Sequence, residues 1–132
     1  MSTHAKGTIE ITGWDEDAYV EIDEDRKLTK ATVTQAFHGD VEGEGAVTWL
    51  MAYRSDGTAD FLGLQRIEGT LDGAEGSIVL RTEGTFDGTV AAGTWAVVEG
   101  TGTGGWSGLT GTGSSDAPTG GTPSYDLEYE LG

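Results

Sequence analysis

Residues 41–71 read VEGEGAVTWLMAYRSDGTADFLGLQRIEGTL and give the clearest structural signal in the sequence. Two long, mostly apolar arms flank the dipeptide Asp56-Gly57, and Asp-Gly between alternating apolar runs is a strong local signal for a β-hairpin. Each arm carries apolar residues on both of its alternating faces, and Leu62 and Leu64 lie on the face that is harder to place in an interior. We therefore predict that one face fills a barrel or sandwich and that the other is partly covered by a partner surface.

The composition indicates a single all-β domain over residues 1–132. The chain has 23 glycines, which recur within strand-like segments and so indicate bends and tight turns. It has no cysteine, which excludes disulfides, a thiol nucleophile and a thiolate metal site. Residues 1–7, MSTHAKG, contain no apolar run, and no segment approaches the roughly 20 apolar residues of a membrane helix. We expect no signal peptide and a cytoplasmic protein.

The charge is strongly one-sided, with 23 acidic and 7 basic residues and a net charge of −16. Such a surface repels phosphate groups, so nucleic acids and anionic membranes are not expected as partners. Two explanations of the acidity stay open at this point, namely solubility and a salt-rich cytoplasm. Neither of them speaks about a mechanism.

Alternating apolar and polar residues predict further strands on both sides of the hairpin. These segments are residues 6–14, 28–38, 77–86, 89–99 and 125–131. Residues 101–115 are rich in glycine and predict a strand pair or a strand with a flap. Residues 15–26, DEDAYVEIDEDR, are acidic and lack a sustained apolar period, so we predict a surface loop with at most one helical turn.

The last segment predicts how the sheet closes. In residues 125–131 apolar side chains alternate with acidic ones, so we predict that the apolar ones point inward: Tyr125, Leu127, Tyr129 and Leu131. A terminal strand of this kind can pair with the first strand and remove the exposed edges of the sheet. About eight strands with short turns and no convincing helix favour a small antiparallel β-barrel over a sandwich.

Several segments together resemble a known family. The sequences GTIEITGWDEDAY, LTKATVTQAFHGDVEGEGAVTWLMAYRSDGTADFLGLQRIEGTL, GTFDGTVAAGTW and YDLEYEL are similar to an uncharacterised bacterial domain-of-unknown-function family, number 3224. The fold of that family resembles plant allene oxide cyclase, a small eight-stranded antiparallel barrel. The resemblance covers nearly the whole chain and implies the fold. It brings no activity with it, because a shared fold does not transfer function.

The resemblance also implies what this chain lacks. Members of the family often carry a glutamate at the positions of Thr48 and Gln65 and a histidine at the position of Thr82. The parity of residues 77–86 predicts that Thr82 faces inward with Ile78. Neutral groups at these positions argue against an acid–base mechanism that depends on them.

Ionisable residues give weak candidates for catalysis. Glu42 and Glu44 lie two residues apart on one strand face and could act as an acid–base pair, although solvated surface carboxylates are the commoner case. His38 has no nearby serine or second ligand and is interpreted as a surface side chain. Four aspartates could hold calcium but lack the glycine-centred spacing of a calcium loop; they are Asp15, Asp17, Asp23 and Asp25. We expect no metal and no cofactor.

The large aromatic side chains of the chain would suit an apolar ligand pocket and so favour a binding function. Packing in the core explains the same side chains equally well. Our leading hypothesis is a small-molecule-binding barrel with an apolar cavity, of which a cofactor-independent isomerase or cyclase is one form. The alternative is a non-catalytic barrel that binds a partner or forms a homo-oligomer through its outer face. The predicted ligand-binding residues are Thr48, Trp49, Leu50, Phe61, Gln65, Thr82 and Trp95.

Two further expectations concern the interior of the second arm. Gly63 lies between Phe61 and Gln65 on the inward parity, and a missing side chain there is expected to open room inside. A buried amide left without a partner costs about 1–3 kcal/mol, so Gln65 is expected to bond a ligand, water or a neighbour such as Thr82.

Overall fold

Antiparallel strands account for most of the chain. The computed structural model describes residues 3–131. The strands are β1 (Thr3–Glu21), β2 (Lys27–Gly39), β3 (Val41–Tyr53), β4 (Ala59–Leu71), β5 (Ala74–Phe86), β6 (Val90–Val97), β7 (Thr103–Gly104), β8 (Leu109–Pro118) and β9 (Ser124–Leu131). Across these residues there is no helix that is long and apolar enough to cross a membrane.

Eight of the strands close into one barrel. Each strand from β1 to β6 pairs with the next one along the chain, β6 pairs with β8, and β8 pairs with β9. The ring closes where Thr3–Thr8 of β1 pair with Ser124–Tyr129 of β9. The two-residue strand β7 pairs with the start of β5 as an addition to the ring. The predicted all-β antiparallel barrel, closed by its last strand, is therefore confirmed.

The central hairpin turns at Asp56-Gly57, as predicted. The amide of Arg54 donates to the carbonyl of Thr58 at 2.8 Å, and the amide of Gly57 donates to the carbonyl of Arg54 at 3.1 Å. Gly57 has φ +87°, in the left-handed region. This arrangement is a turn followed by a glycine bulge, a common way to join two strands with a short loop. Asp56 caps the turn by accepting a hydrogen bond from the amide of Thr58 at 3.0 Å.

The prediction of a surface loop over residues 15–26 is wrong. β1 continues to Glu21, and the chain turns only between Ile22 and Arg26, where the amide of Ile22 donates to the carbonyl of Arg26 at 2.9 Å. The cause is tertiary: the extended β2 offers pairing partners to residues 13–18 and 20–21, with a register shift at Tyr19. Most side chains of that stretch are exposed, so the strand needs no apolar alternation and its sequence resembles a loop.

The barrel interior contains two apolar clusters. The cluster at the closed end includes three aromatic rings in contact: Trp95 stacks on Tyr125 at 5.8 Å, and Phe37 meets both rings edge-on. Trp106 is buried at the same end, where its indole donates to the carbonyl of Ala74 at 2.8 Å. The second cluster lies toward the Asp56-Gly57 tip and comprises Ala31, Val33, Val47, Met51 and Phe61.

The turn glycine of the central hairpin yields a stability prediction. A Cβ at Gly57 would meet no atom within 4 Å, so the strain of Gly57→Ala is purely conformational. We expect this variant to lower the free energy of unfolding by about 1 kcal/mol, since a side chain disfavours positive φ. Gly57→Asn should lose less, because asparagine tolerates that region better. Urea unfolding of the three proteins measures both differences, and an unchanged midpoint for Gly57→Ala would contradict the turn geometry.

Candidate functional site

The barrel is open along one side, where β1 and β9 stop pairing. β9 pairs with β1 only as far as Thr8, and the amide of Ile9 makes the last cross-link, to the carbonyl of Pro123 at 2.9 Å. Beyond that point, within residues 3–131, the only strand hydrogen-bonded to β1 is β2. A cavity of about 40 Å³ lies inside this opening. Its lining residues include Ile11, Gln35, Trp49, Gln65, Trp95 and Pro123.

An irregularity in β1 determines which side chains reach the opening. The register with β2 shifts between Ile11 and Gly13, so Trp14 comes opposite Val33 and Glu16 opposite Ala31. Because Val33 and Ala31 are buried inward residues, the shift turns Trp14 and Glu16 toward the same side. Without it they would share the outward parity of Glu10. These two residues were missed by the sequence analysis, since a bulge cannot be read from alternation in an acidic stretch.

Three aromatic rings line the open end. The Trp49 ring lies between Trp14, at a centroid distance of 5.8 Å, and Phe61, at 5.3 Å. Phe61 is buried and Trp49 is half-buried, whereas 51% of Trp14 is exposed. The row therefore passes from the core to solvent. It offers a flat apolar surface to a molecule that enters from outside.

The expected room beside Gly63 is filled. Gly63 is directly opposite Trp49, and a Cβ added there would lie 3.0 Å from the indole Cδ1 and would collide with the Thr48 carbonyl oxygen. The missing side chain thus accommodates the Trp49 indole and the neighbouring backbone, and leaves no space beside them. The prediction that Gly63 opens the interior is therefore wrong.

A buried amide pair separates the two apolar clusters. The Gln65 side-chain amide donates to the Gln35 carbonyl oxygen, and both residues are at least 96% buried, with exposed fractions of 2% and 4%. Thr82 is buried as well but lies opposite Gly63, so the expected partnership of Gln65 with Thr82 is replaced by one with Gln35. Among the described residues, Gln65 Oε1 and Trp49 Nε1 make no hydrogen bond. One acceptor and one donor therefore remain unpaired beside the same cavity.

Glu16 organises a polar cluster at the outer rim of the opening. Its carboxylate accepts hydrogen bonds from Tyr53 Oη and Thr29 Oγ1, each at 2.6 Å, and from Trp14 Nε1 at 3.1 Å. Burial acts to raise the pKa of Glu16, but these three hydrogen bonds and the nearby Lys27 charge together outweigh it and lower the pKa. Burial and the nearby Glu16 carboxylate raise the pKa of Tyr53 to about 12. Near neutral pH this cluster therefore holds an anionic Glu16 and a neutral Tyr53.

The predicted binding residues divide between two faces of the barrel. Trp49, Phe61, Gln65, Thr82 and Trp95 lie on inward positions, as the strand register requires. Thr48 and Leu50 are exposed on the outer face of β3, opposite Leu64 and Leu62. The alternation could not separate the two faces, because both carry apolar residues.

The weaker catalytic candidates lie on the surface. Glu42 and Glu44 are exposed on the outer face of β3. His38 is exposed between Glu10, at 3.5 Å, and Glu42, at 3.7 Å. Asp23 accepts hydrogen bonds from the amide and side chain of Arg26 in the β1–β2 turn. Over the stretch from residue 3 to residue 131, no group of three or more side chains is placed to hold a metal ion.

The protein is thus an eight-stranded up-and-down β-barrel. It is packed at one end and open at the other, where a row of aromatic rings lines the opening. The chain belongs to the family described as protein of unknown function (DUF3224), whose model matches residues 5–129. A solved structure of a protein of unknown function from this family, from Shewanella oneidensis MR-1, is 22% identical with a TM-score of 0.85. The alignment covers 100% of this chain and 99% of that one, and it shows a shared fold. No curated protein matches the sequence.

The Glu16 cluster predicts a pH-dependent effect of Tyr53→Phe. Removing the hydroxyl should lower the free energy of unfolding at pH 7, because Glu16 loses a hydrogen bond. The loss should be only about 1 kcal/mol, since the carboxylate keeps some solvent contact. The folded pKa of Glu16 is lowered, so its stabilising contribution is complete above the ordinary value of 4.5 and is lost as the pH falls through the folded pKa. The difference between the variant and the wild type should therefore shrink at pH 3.

Urea unfolding at pH 7 and pH 3 measures this difference. Tyr19→Phe is the matched control, because Tyr19 is exposed and lies on the same strand as Glu16. Tyr19→Phe should leave the free energy of unfolding unchanged at both pH values. A Tyr53→Phe effect that is equally large at pH 3 would show that the hydroxyl stabilises the fold without the Glu16 carboxylate.

Proposed function

We propose that the protein binds a neutral, flat and largely apolar small molecule at the open end of the barrel. The observation that carries this proposal is the pair of unpaired polar atoms, Trp49 Nε1 and Gln65 Oε1, beside one cavity. Leaving a buried polar group without a partner is unfavourable by about 1–3 kcal/mol. A ligand that pairs with both atoms recovers this energy, whereas an apolar side chain in place of either residue would have avoided the loss.

The two atoms specify the polar group of the ligand. An indole nitrogen only donates, and an amide oxygen only accepts, so a ligand that pairs with both atoms must offer one acceptor and one donor. A carboxamide, a protonated acid or a hydroxy ketone has this pattern. In the structure the Gln65 Nε2 group already donates to Gln35, so Oε1 is the Gln65 atom left to accept from a ligand.

Size and charge narrow the ligand class further. A water-sized group needs about 10–15 Å³, so a cavity of about 40 Å³ takes a polar group of roughly three heavy atoms. The rest of the molecule then lies outside, against Trp14 and Ile11, which are 51% and 40% exposed. The net charge of −16 disfavours an anion near the opening.

Binding is favoured over acid–base catalysis by the state of the ionisable groups at the rim. Glu16 accepts three hydrogen bonds and has a lowered pKa, and Tyr53 has a raised pKa, so neither group is suited to transfer protons near neutral pH. An isomerase or cyclase on this barrel would therefore act by holding a substrate in one reactive conformation. The likeness to allene oxide cyclase is a likeness of folds and adds no chemistry.

The proposal predicts a matched pair of ligand results. Cinnamamide has a flat apolar body and a carboxamide that both accepts and donates, whereas N,N-dimethylcinnamamide can only accept. We expect cinnamamide to raise the melting temperature of the protein. It should also bind at least about ten-fold more tightly than the dimethyl compound, because a ten-fold difference in affinity corresponds to one hydrogen bond in a site without water. Thermal shift and isothermal titration calorimetry measure the two quantities.

Variants assign the effect to the site. Gln65→Leu should remove most of the difference between the two compounds, because the acceptor for the ligand N–H is gone. Thr32→Val is the control, since Thr32 is exposed on the outer face of β2 and should leave both affinities unchanged. Equal affinities of the wild type for the two compounds, or a Gln65→Leu variant that still distinguishes them, would overturn the role of Gln65. No shift with any flat amide, carbonyl or polyene compound would overturn binding itself.

A further inference from the structure

A patch of leucines lies on the outer face of the central hairpin. Leu50, Leu62 and Leu64 are 44%, 57% and 59% exposed. Leu50 is directly opposite Leu62 in the β3–β4 ladder, and Leu64 is the next outward residue on β4, so the three side chains are contiguous. A contiguous apolar patch in a chain that is otherwise densely charged is typical of an interaction surface.

The charges around this patch have an ordered arrangement. The outward row of β4 reads Asp60, Leu62, Leu64 and Arg66. On the neighbouring strand β5, Glu83 is opposite Leu62 and Arg81 is opposite Leu64. In each of these two rows an acidic residue lies toward one end and a basic residue toward the other. In both rows the sign of the charge changes at the level of the midpoint between Leu62 and Leu64.

We propose that a second copy of this chain covers the leucine patch in a two-fold dimer whose axis lies in the interface and crosses the strands at right angles. Such an axis reverses the strand direction, so Leu62 packs on Leu64 of the partner subunit. It also places Arg81 against Glu83 of the partner subunit, and symmetry repeats this contact. The charge order is thus complementary to itself, which is what an isologous interface requires.

The same charges exclude the other simple two-fold arrangement. An axis parallel to the strands would exchange β3 with β5 and leave the direction unchanged. Leu50 would then face Glu83 of the partner subunit, and the carboxylate would lose solvent against an apolar side chain. No such mismatch occurs when the axis crosses the strands.

The size of the face is consistent with a weak but specific dimer. Strands β3, β4 and β5 have 13 residues each, so this face is about 40 Å long and roughly 15 Å wide. That is on the order of 600 Å² for each subunit, somewhat below the roughly 800 Å² of a standard stable interface. We expect dissociation in the micromolar range.

Intrachain contacts identify Arg81 and Glu83 as the charges to test. Asp60 lies 2.7 Å from Arg54, and Arg66 hydrogen-bonds to Ser77 at 3.0 Å, so both ends of the β4 row already have partners within the chain. Changing them would disturb the barrel as well as the interface. Arg81 and Glu83 are exposed at the centre of the β5 row, which makes them cleaner sites for substitution.

Sedimentation equilibrium at about 0.15 M salt tests the dimer. The wild type should approach twice the chain mass of 13.7 kDa as its concentration rises into the micromolar range. Arg81→Glu and Glu83→Arg should each weaken association by about ten-fold or more, since each places like charges together at two symmetric contacts. The double variant carries both reversals and should regain wild-type association, because its charges are complementary again.

Lys6→Glu is the matched control for charge. It changes the net charge as Arg81→Glu does but lies on β1, at the junction with β9 and away from the leucine patch. Its ion pair with Asp126, at 3.8 Å, is exposed and therefore contributes little to stability. Lys6→Glu should leave the dimer constant unchanged, and circular dichroism should show the same fold for all the variants. A wild type that stays at 13.7 kDa up to about 1 mM would overturn the dimer. A double variant that fails to recover, while each single variant is folded, would overturn the crossed-axis geometry.

Discussion

The hydrogen bond between Gln35 and Gln65 is the constraint on which the interior depends. Two amides placed in an apolar barrel must satisfy each other, since neither can reach solvent. Their bond links β2 to β4 across β3 and separates the closed-end cluster from the cluster near the hairpin tip. It satisfies one donor and one acceptor, and it leaves the oxygen of Gln65, a residue that lines the cavity, without a partner. The polar layer thus stabilises the strand arrangement and creates the candidate binding position together.

The asymmetry of the barrel follows from how its ends are closed. At the closed end β9 completes the ring, and the Tyr125 hydroxyl accepts from the amide of Val41 at 2.9 Å and donates to the carbonyl of His38 at 3.0 Å. This fixes the turn between β2 and β3. At the other end β1 leaves the ring after Ile9, and its bulge turns Trp14 toward the opening. The opening is therefore a consequence of backbone pairing, and one register shift turns Trp14 and Glu16 toward it.

The sequence predicted those features that depend on local alternation. The turn at Asp56-Gly57 and the inward faces of β5 and β9 rest on period-two patterns, which survive folding because a barrel needs one apolar face on every strand. The length of β1 could not be predicted, because its outer part gains hydrogen bonds from β2 without burying an apolar face. The β-strand propensity of a segment does not reveal such a partner strand.

The candidate site was predictable only in part, for a similar reason. Gln65 was identified from its parity and type, whereas Trp49 was predicted together with its opposite-parity neighbours Thr48 and Leu50, because the alternation in β3 leaves the inward face open. The contact between Trp49 and Gly63, and the hydrogen bond from Tyr53 to Glu16, join residues on different strands whose register the sequence leaves open. Glu16 was hidden in an acidic stretch, and its inward direction arises from the bulge that precedes it.

The indole N–H signals of the tryptophans report directly on whether a ligand pairs with Trp49. In a 1H–15N correlation spectrum each of the 4 tryptophans gives one indole signal. Trp106 is an internal reference, because its indole is already hydrogen-bonded to the carbonyl of Ala74 at 2.8 Å. On titration with cinnamamide, the Trp49 signal should move to higher proton frequency as its N–H gains an acceptor, while the Trp106 signal stays in place. A Trp49 signal that does not move while another tryptophan responds, or no response at all, would show that the ligand does not bind at Trp49.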